Sequence, residues 1–409
     1  MNKSTLKKYA KLIVKMGVNV KKNQSVIINA SIEAAPLVTA VVEECYKAKA
    51  KEVEVQWSNQ DVTRLNYTYK TLETLSEYKD WQLEKLKHYS EVLPAMIHII
   101  SDDPDGLVGI DMAKVAKARQ NTYPITKPYS DKMDSKYQWT IVGYPGLAWA
   151  KKVFPNYKPS VALKKLEKAI LDVTRVNTKN PIEEWKLHNE RIASRCEKLN
   201  NYNFEYLTYK SNNGTNFKVY LADNHQWCGG AGKVLGKNIW YNANMPSEEV
   251  FTMPHKDKCE GIVYSTKPLS YNGQLIEDFS LEFKDGKVVK CDAKKGLDAL
   301  ERMISMDEGA KMLGEVALVE VTSPINLTNI LFYNTLYDEN ASCHLALGRA
   351  YTDNIKDFDK KSEEELKACG KNDSMIHVDF MIGSDSLEII GYTHDGTAVK
   401  VFENGVFVI

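Results

Sequence analysis

Two polar side chains with metal-binding and acid–base chemistry interrupt an apolar stretch near the end of the chain. In SMIHVDFMIG (374–383), His377 and Asp379 stand two residues apart in a run that is otherwise mostly apolar. If the run is a strand, they share one face while Val378 and Phe380 occupy the other. Such a pair, taken alone, is more often a satisfied histidine–aspartate hydrogen bond than a metal or catalytic pair. The decision depends on which other residues share that face.

Two glutamates lie beside apolar runs further upstream. Glu249 belongs to NMPSEEVFTMP (244–254), and Glu315 opens GEVALVEV (314–321), which has a strand-like pattern. Each glutamate taken singly is better explained as a helix cap or a solvated edge residue. Neither one is sufficient evidence for a site.

The stretch DENASCHLALGRAY (338–351) combines a carboxylate, an imidazole and a phenol, in Glu339, His344 and Tyr351. If it is helical from about residue 340, His344 and Tyr351 lie on the same face. Alternatively, His344 is a satisfied core histidine and Tyr351 is ordinary packing with a hydrogen-bonded hydroxyl.

As a set, these residues favour a metal site. Three glutamates, two histidines and one aspartate within apolar segments are costly to bury unless they are paired or coordinated. A ligand set rich in carboxylates, with histidine and without cysteine, suits Zn²⁺, Co²⁺ or Mn²⁺, and two ions about 3.5–4 Å apart can share a bridging carboxylate. Other histidines lack patterned carboxylate neighbours and are interpreted as structural or surface residues: His88, His98, His188 and His225.

The elements that would position these residues change character near the middle of the chain. The first half alternates short apolar strands with helical patterns, which predicts a parallel sheet with helices on its faces. It lacks the glycine-rich signatures of nucleotide-binding folds of this kind. The predicted strands are 25–30, 53–58, 95–101 and 138–146, and the predicted helices are about 32–50, 70–90, 111–120, 160–174 and 181–199.

From Phe204 onward the pattern becomes strands joined by tight turns. The dipeptides Asp285-Gly286 and Asn404-Gly405, each between alternating apolar residues, predict β-hairpins. The expected fold class is therefore α/β, with an N-terminal parallel-sheet α/β domain and a C-terminal mixed α+β domain that carries the metal site. We predict that the domains comprise residues 1–199, including the bridging helices, and 200–409.

Composition argues against several classes of partner. Lysine plus arginine equals aspartate plus glutamate at 54 each, so no overall field favours nucleic acid or an anionic membrane surface. No apolar run is long enough to cross a membrane, and lysines interrupt the N-terminal amphipathic stretch, so we expect neither a membrane anchor nor a signal peptide. Seven cysteines without a C-x-x-C pattern argue against a disulfide framework and favour a cytoplasmic location.

Several long stretches, in order along nearly the whole chain, resemble the M29 family of metallo-aminopeptidases, the group of aminopeptidase S, aminopeptidase T and PepS. In the first half these stretches are INASIEAAPLVTAVVEECYKAKAKEVEVQW and YPGLAWAKKVFPN. In the second half they are SNNGTNFKVYL, NMPSEEVFTMP, STKPLSYNGQLIEDFSLEFKDGKVV, LGEVALV, ENASCHLALGRAY and IHVDFMIG.

The resemblance implies an aminopeptidase that acts on short peptides with a free N-terminus, as a homodimer that encloses its active sites. It also implies two divalent ions per chain, Zn, Co or Mn. Tyr351 matches the active-site tyrosine of the family. Any carboxylate of the set is a candidate for moving the proton, and we name Glu249 as catalytic besides its role as a ligand. The implied metal ligands are Glu249, Glu315, Glu339, His344, His377 and Asp379.

Two other functions are compatible with the same residues. A metal-dependent amidohydrolase acting on a non-peptide amide would share the ligands but not the requirement for a free amine. A binding or regulatory protein with this fold would hold metal without turnover, which the presence of Tyr351 and of all six ligands disfavours. Hydrolysis of aminoacyl-p-nitroanilides distinguishes an enzyme from a binding protein.

Overall fold

The computed structural model describes residues 1–409, which form two compact units. Compared with the predicted division after residue 199, the second unit begins earlier, inside a helix, and a later segment of the chain returns to the first unit. The domains 1–199 and 200–409 stay a prediction. The first unit comprises Met1–Leu187 and Ala231–Pro246, and the second comprises His188–Gly230 and Ser247–Ile409.

The helices fall mostly in the first unit, and none of them combines the length and apolar character needed to span a bilayer. A π-helical turn follows the first helix, and short 3-10 turns occur elsewhere. The α-helices are α1 (Lys3–Leu12), α2 (Ala35–Lys47), α3 (Gln60–Tyr69), α4 (Leu72–Ser76), α5 (Asp80–Val92), α6 (Met112–Met133), α7 (Leu147–Val153), α8 (Pro159–Val173), α9 (Pro181–Tyr202), α10 (Leu297–Ile304), α11 (Pro324–Leu327), α12 (Thr335–Asp338) and α13 (Glu363–Ala368).

The strands include several of only two or three residues, which carry no periodic signal in the sequence. They are β1 (Ser25–Ser31), β2 (Glu52–Ser58), β3 (Ala95–Ile100), β4 (Trp139–Gly143), β5 (Phe204–Lys210), β6 (Asn216–Leu221), β7 (Cys228–Gly229), β8 (Gly232–Lys233), β9 (Trp240–Tyr241), β10 (Asn244–Met245), β11 (Val250–Thr252), β12 (Pro254–Tyr264), β13 (Leu269–Tyr271), β14 (Gln274–Lys284), β15 (Lys287–Lys295), β16 (Leu313–Leu318), β17 (His344–Gly348), β18 (His377–Met381), β19 (Glu388–Thr393), β20 (Ala398–Glu403) and β21 (Val406–Phe407).

The first unit is built on a five-stranded parallel sheet in the order β10-β4-β3-β1-β2. The predicted N-terminal parallel sheet is confirmed. Strand β10 belongs to Ala231–Pro246, the segment that returns to the first unit, and is the fifth strand of the sheet. Its two residues are too few to give a periodic signal in the sequence. The predicted helix at 111–120 extends to Met133 although Pro124 and Pro128 lie inside it, and the predicted helix at 70–90 is divided into α4 and α5.

The second unit contains two antiparallel sheets. The smaller has the order β18-β17-β16-β11-β7, and the larger runs β13-β14-β12-β6-β5-β19-β20-β21, with β15 also paired to β14. The predicted hairpins are confirmed: Asp285 and Gly286 connect β14 to β15, and Asn404 and Gly405 connect β20 to β21. All four turn residues have positive φ, as a two-residue hairpin turn of this type requires.

Side chains from one face of each of the two sheets pack together to form the core of the second unit. Val378 and Phe380 of β18 are buried in it together with Leu345 and Leu347 of β17. The Phe380 ring lies 5.8 Å from the ring of Phe279 on β14. Because strand side chains alternate between faces, the residues between these apolar ones are displayed on the opposite face of the smaller sheet.

Candidate metal centre

Three neighbouring strands of the smaller sheet bring four of the predicted residues to one face. Glu315 of β16 is paired in register with Ala346 of β17, which is paired in turn with Asp379 of β18. His344 begins β17 and His377 begins β18. Ala346, which has a small side chain, lies between these two carboxylates in the register.

The condition of a helix from about residue 340, on which a shared helical face of His344 and Tyr351 depends, is not met. Glu339–Ala341 is a 3-10 turn, and His344–Gly348 is strand β17. The apolar run LALG pairs with β16 on one side and with β18 on the other. Such a short apolar run can be a helix or a strand when it is considered alone, and the pairing makes it a strand. Gly348 has φ of 104°, and a Cβ atom there would lie 2.1 Å from the Ile376 carbonyl oxygen, so this strand end requires glycine.

Glu249 and Glu339 approach the same face from outside the three strands. Glu249 immediately precedes β11, which pairs with β16. Glu339 follows α12 and accepts a hydrogen bond at Oε1 from the side-chain amide of Asn340 at 3.3 Å. Both glutamates are buried.

The ligand atoms form two groups that share one carboxylate. In the first group His344 Nε2 lies 3.0 Å from Glu249 Oε2 and 3.6 Å from Glu315 Oε1. In the second group His377 Nε2 lies 3.6 Å from Glu315 Oε2 and 3.3 Å from Asp379 Oδ1. Within each group the atoms lie within 4.8 Å of one another. Glu315 thus presents one oxygen to each group.

Backbone carbonyls orient both imidazole rings. His377 Nδ1 lies 2.6 Å from the Arg349 carbonyl oxygen, and His344 Nδ1 lies 3.2 Å from the carbonyl oxygen of Ser342. A carbonyl oxygen accepts hydrogen bonds and donates none, so each Nδ1 carries the proton and each Nε2 faces the carboxylates. Metal-binding histidines are commonly oriented in this way.

Several carboxylates of the cluster are buried close to one another, and this shifts the pKa values of the residues in it. Burial raises the pKa of Glu315 to about 7, against a lowering by the two histidines. Burial and the nearby Asp379 raise the pKa of Glu339 well above its usual range. Burial alone would lower the pKa of His377, but Asp379 and Glu315 raise it to about 9. The carboxylates of the cluster therefore resist ionising together unless positive charge compensates them.

Tyr351 lies beside the second group. Its ring centroid is 4.7 Å from that of His377 and 6.3 Å from that of Phe251. Partial loss of water around the phenol and the charges of Glu315 and Asp379 raise its pKa well above the usual range. The residue as a whole is 40% exposed. The hydroxyl therefore stays protonated and can donate a hydrogen bond at an accessible edge of the cluster.

Sequence reasoning missed two residues that position the glutamates. Asn340 accepts a hydrogen bond from the Glu248 backbone N–H at 2.7 Å, and its amide nitrogen contacts Glu339. His188 is buried, and its Nε2 lies 2.7 Å from the Ser247 carbonyl oxygen. Asn340 could have been suspected because it directly follows Glu339, whereas no local pattern marks His188.

The donor set fits divalent metal ions. The His344 Nε2 and Asp379 Oδ1 atoms are buried and make no hydrogen bond of acceptable geometry, although carboxylate or imidazole atoms lie within 3.3 Å of them. Buried polar atoms normally have partners, and converging carboxylate and imidazole atoms are typical of Zn²⁺, Co²⁺ or Mn²⁺ sites. Glu339 belongs to neither of the two tight groups.

Comparisons with known proteins agree with these features. The chain is 42% identical over 401 residues to aminopeptidase 2 of Geobacillus stearothermophilus, covering 98% of this chain and 97% of that protein. It is 38% identical over 409 residues to aminopeptidase PepS of Streptococcus thermophilus, covering 100% and 98%. The solved structure of wild-type AmpT from Thermus thermophilus superimposes with a TM-score of 0.90 at 34% identity, with both chains fully covered.

The family model described as thermophilic metalloprotease (M29) matches residues 2–407. A match of this extent includes both compact units and every residue of the cluster described above. The chain belongs to the M29 family of metalloproteases.

Proposed function

We propose that this protein is a metal-dependent aminopeptidase that removes the N-terminal residue from short peptides. The observation that carries the proposal is the pair of ligand groups that share Glu315, one on each carboxylate oxygen. A carboxylate placed in this way can bridge two ions. Family membership and the names of the aminopeptidase relatives support the reaction class.

The first ion would be held by Glu249, Glu315 and His344, and the second by Glu315, His377 and Asp379. Glu339 would complete the set, since it is buried and lies close enough to Asp379 for that charge to raise its pKa. Divalent ions supply Lewis acidity and lower the pKa of a water molecule, which provides a nucleophile near neutral pH. Zn²⁺, Co²⁺ and Mn²⁺ all suit these ligands.

Tyr351 is proposed to stabilise the negative charge that develops on the carbonyl oxygen of the scissile bond. Its hydroxyl stays protonated because partial loss of water and the neighbouring carboxylates raise the pKa of the phenol. A donor held at the edge of the cluster by contacts of its ring with His377 and Phe251 needs little reorganisation during the reaction.

Glu249 is proposed to move a proton from the attacking water to the leaving amine, in addition to its role as a ligand. Carboxylates beside a reaction centre commonly act as general bases and acids. Glu249 lies just before β11, and its Oε2 is 3.0 Å from His344 Nε2. Asn340 fixes the preceding residue through its backbone N–H.

The free α-ammonium group of the substrate is proposed to be attracted by the excess of carboxylates over histidines in the cluster. This attraction would place the first peptide bond at the reaction centre and restrict cleavage to the N-terminal residue. Mass spectrometry of a free tripeptide and of its N-acetylated counterpart, each incubated with the metal-loaded protein, tests this restriction. We expect loss of one residue from the free peptide and none from the acetylated peptide.

Comparable cleavage of both peptides would contradict the aminopeptidase proposal and favour the alternative, a metal-dependent amidohydrolase. Absence of turnover on tripeptides and on aminoacyl-p-nitroanilides, with metal bound, would favour a binding protein instead. We also propose a homodimer in the cytoplasm, as the family resemblance implies. Light scattering on the purified chain tests the dimer independently of the chemistry.

A further inference from the structure

The face of the smaller sheet that carries the metal ligands continues onto β11 and β7, within the same compact unit. Phe251 of β11 is paired in register with Ala317 of β16, and Ala317 is paired in turn with His344. On its other side Phe251 is paired with Cys228 of β7. Residues directly opposite one another in an antiparallel sheet display their side chains on the same face. Phe251 and Cys228 therefore lie on the face that carries His344.

The residues that precede Phe251 and Cys228 in the chain point the other way. Val250 and Trp227 belong to the buried core of the second unit. Phe251 and Cys228 are not part of that core and are only partly buried. The two strands thus present an aromatic ring and a thiol on the ligand side of the sheet, outside the core.

Phe251 lies next to two parts of the proposed reaction centre. It follows Glu249 by two residues, and Glu249 Oε2 is 3.0 Å from His344 Nε2. The centroid of its ring lies 6.3 Å from that of Tyr351, with an angle of 69° between the ring planes. The ring of Phe251 therefore borders both the first ligand group and the phenol.

Cys228 continues this surface as a small neutral group. Its Sγ donates a hydrogen bond to the Asp353 carbonyl oxygen at 3.6 Å. Partial loss of water around the thiol and the charge of Asp353 raise the pKa of Cys228 well above its usual range. The thiol therefore stays protonated, and a protonated thiol behaves as a small, weakly polar group and a poor nucleophile.

Hydrogen bonds hold this surface in place. The Nδ2 atom of the buried Asn354 lies 3.3 Å from the carbonyl oxygens of both Phe251 and Gln226. The side-chain amide of Gln226 donates to the Asp353 carbonyl oxygen at 2.6 Å. These bonds connect β11, the residues before β7 and the turn after Tyr351. A surface fixed in this way needs little ordering when a ligand binds.

The proposed reaction brings the first residue of the substrate to this surface. Its ammonium group is attracted by the carboxylates, and its carbonyl oxygen faces the Tyr351 hydroxyl, so its α-carbon lies between the two. Because Phe251 borders both the cluster and Tyr351, a side chain that leaves the α-carbon there can pack against the Phe251 ring.

We propose that Phe251 and Cys228, together with the ring of Tyr351, form the subsite for the side chain of the N-terminal residue of the substrate. This subsite selects bulky apolar side chains, such as those of leucine, methionine and phenylalanine. The assignment rests on the aminopeptidase function proposed above. An aromatic ring and a protonated thiol exclude water from an apolar side chain and offer no charge to pair with a charged one.

Hydrolysis of two series of tripeptides by the metal-loaded protein tests the assignment. In X-Gly-Gly and in Ala-X-Gly, X is alanine, leucine, phenylalanine or lysine, and mass spectrometry of the products gives kcat/KM. We expect the wild type to prefer leucine and phenylalanine in the first series. Phe251→Ala should lower kcat/KM for these two by about tenfold or more relative to alanine, mainly through KM. The ranking in Ala-X-Gly should not change.

Further variants change the same surface in other ways. Cys228→Leu should obstruct the subsite and lower kcat/KM for phenylalanine more than for alanine. Cys228→Ser preserves the size of the side chain and should keep the wild-type ranking. Val289→Ala alters an exposed residue of β15 and is the control. Elemental analysis of each variant checks that the metal content is unchanged.

The outcomes separate the subsite from the reaction itself. An X-Gly-Gly ranking that is unchanged in both Phe251→Ala and Cys228→Leu would overturn the subsite and leave the peptidase function standing. A change confined to the Ala-X-Gly series, or a wild-type preference for lysine, would also overturn it. Failure of the metal-loaded wild type to cleave any of the tripeptides would overturn the proposed function, and the subsite with it.

Discussion

His377 and Asp379 stand two residues apart on β18, and their side chains meet, with His377 Nε2 3.3 Å from Asp379 Oδ1. The intervening Val378 is buried on the other face. Because Glu315 Oε2 also lies 3.6 Å from His377 Nε2, the pair is half of a larger cluster, which makes an isolated hydrogen-bonded pair a poorer explanation.

Removal of metal should abolish peptidase activity. The proposed centre depends on divalent ions, so exhaustive dialysis against a chelator should eliminate hydrolysis of an aminoacyl-p-nitroanilide. Addition of Zn²⁺, Co²⁺ or Mn²⁺ should restore it. Full activity in a protein shown to be metal-free by elemental analysis would contradict the proposal.

Replacement of the shared carboxylate should remove more metal than replacement of a ligand of one group. Glu315→Ala should reduce the bound metal by close to two ions per chain, because Glu315 contributes to both groups. Glu249→Ala and Asp379→Ala should each reduce it by about one. Elemental analysis after gel filtration gives the stoichiometry, and circular dichroism checks that each variant is folded. Equal losses in all three variants would argue against a shared Glu315.

Tyr351→Phe should lower the rate without removing metal. The substitution deletes the hydroxyl and keeps the ring beside His377. Loss of one donor to a developing oxyanion typically lowers kcat by about 10²–10³ with less effect on KM. Steady-state kinetics with the metal content measured in parallel checks this. A kcat within threefold of the wild type would exclude Tyr351 from the mechanism.

His188→Ala should impair the centre indirectly. Its Nε2 contacts the Ser247 carbonyl oxygen at 2.7 Å, two residues before Glu249, so the loop that carries Glu249 should lose part of its support. We expect lower metal affinity and a loss of stability of about 1–3 kcal/mol, typical of an unsatisfied buried group. Metal titration followed by thermal unfolding measures both effects, and His88→Ala in the first unit is the control. Unchanged metal affinity would mean that His188 does not position Glu249.

Stability should fall in mild acid partly because of His225. Its pKa is lowered by burial from 6.5 to about 4 in the folded state, so the unfolded chain takes up a proton first as the pH falls. The contribution is complete above about pH 6.5 and is lost progressively toward pH 4. The loss at pH 5 amounts to about 2 kcal/mol. Unfolding by denaturant at pH 7.5 and pH 5 should therefore show a larger loss for wild type than for His225→Asn. Identical losses would show that this histidine does not contribute.

Local sequence patterns were sufficient to predict many of the strands and turns of this protein. The alternation of β18 placed His377 and Asp379 on one face, because strand geometry repeats every two residues irrespective of the surrounding fold. The Asp285-Gly286 and Asn404-Gly405 turns were predictable for a similar reason, since their positive φ values are a local requirement. Alternating strands and helices likewise indicated the parallel sheet of the first unit.

The pairing of distant strands determined features of the site that local sequence patterns could not predict. LALG, within His344–Gly348, is compatible with a helix or a strand, and its pairing with β16 and β18 made it a strand. The same register brought Glu315 opposite Ala346 and Ala346 opposite Asp379. The sequence by itself determined which residue types were available for a metal centre. Only the folded sheet determined that Glu315 lies between two histidines, because contacts between distant segments depend on register and packing rather than on neighbouring residues.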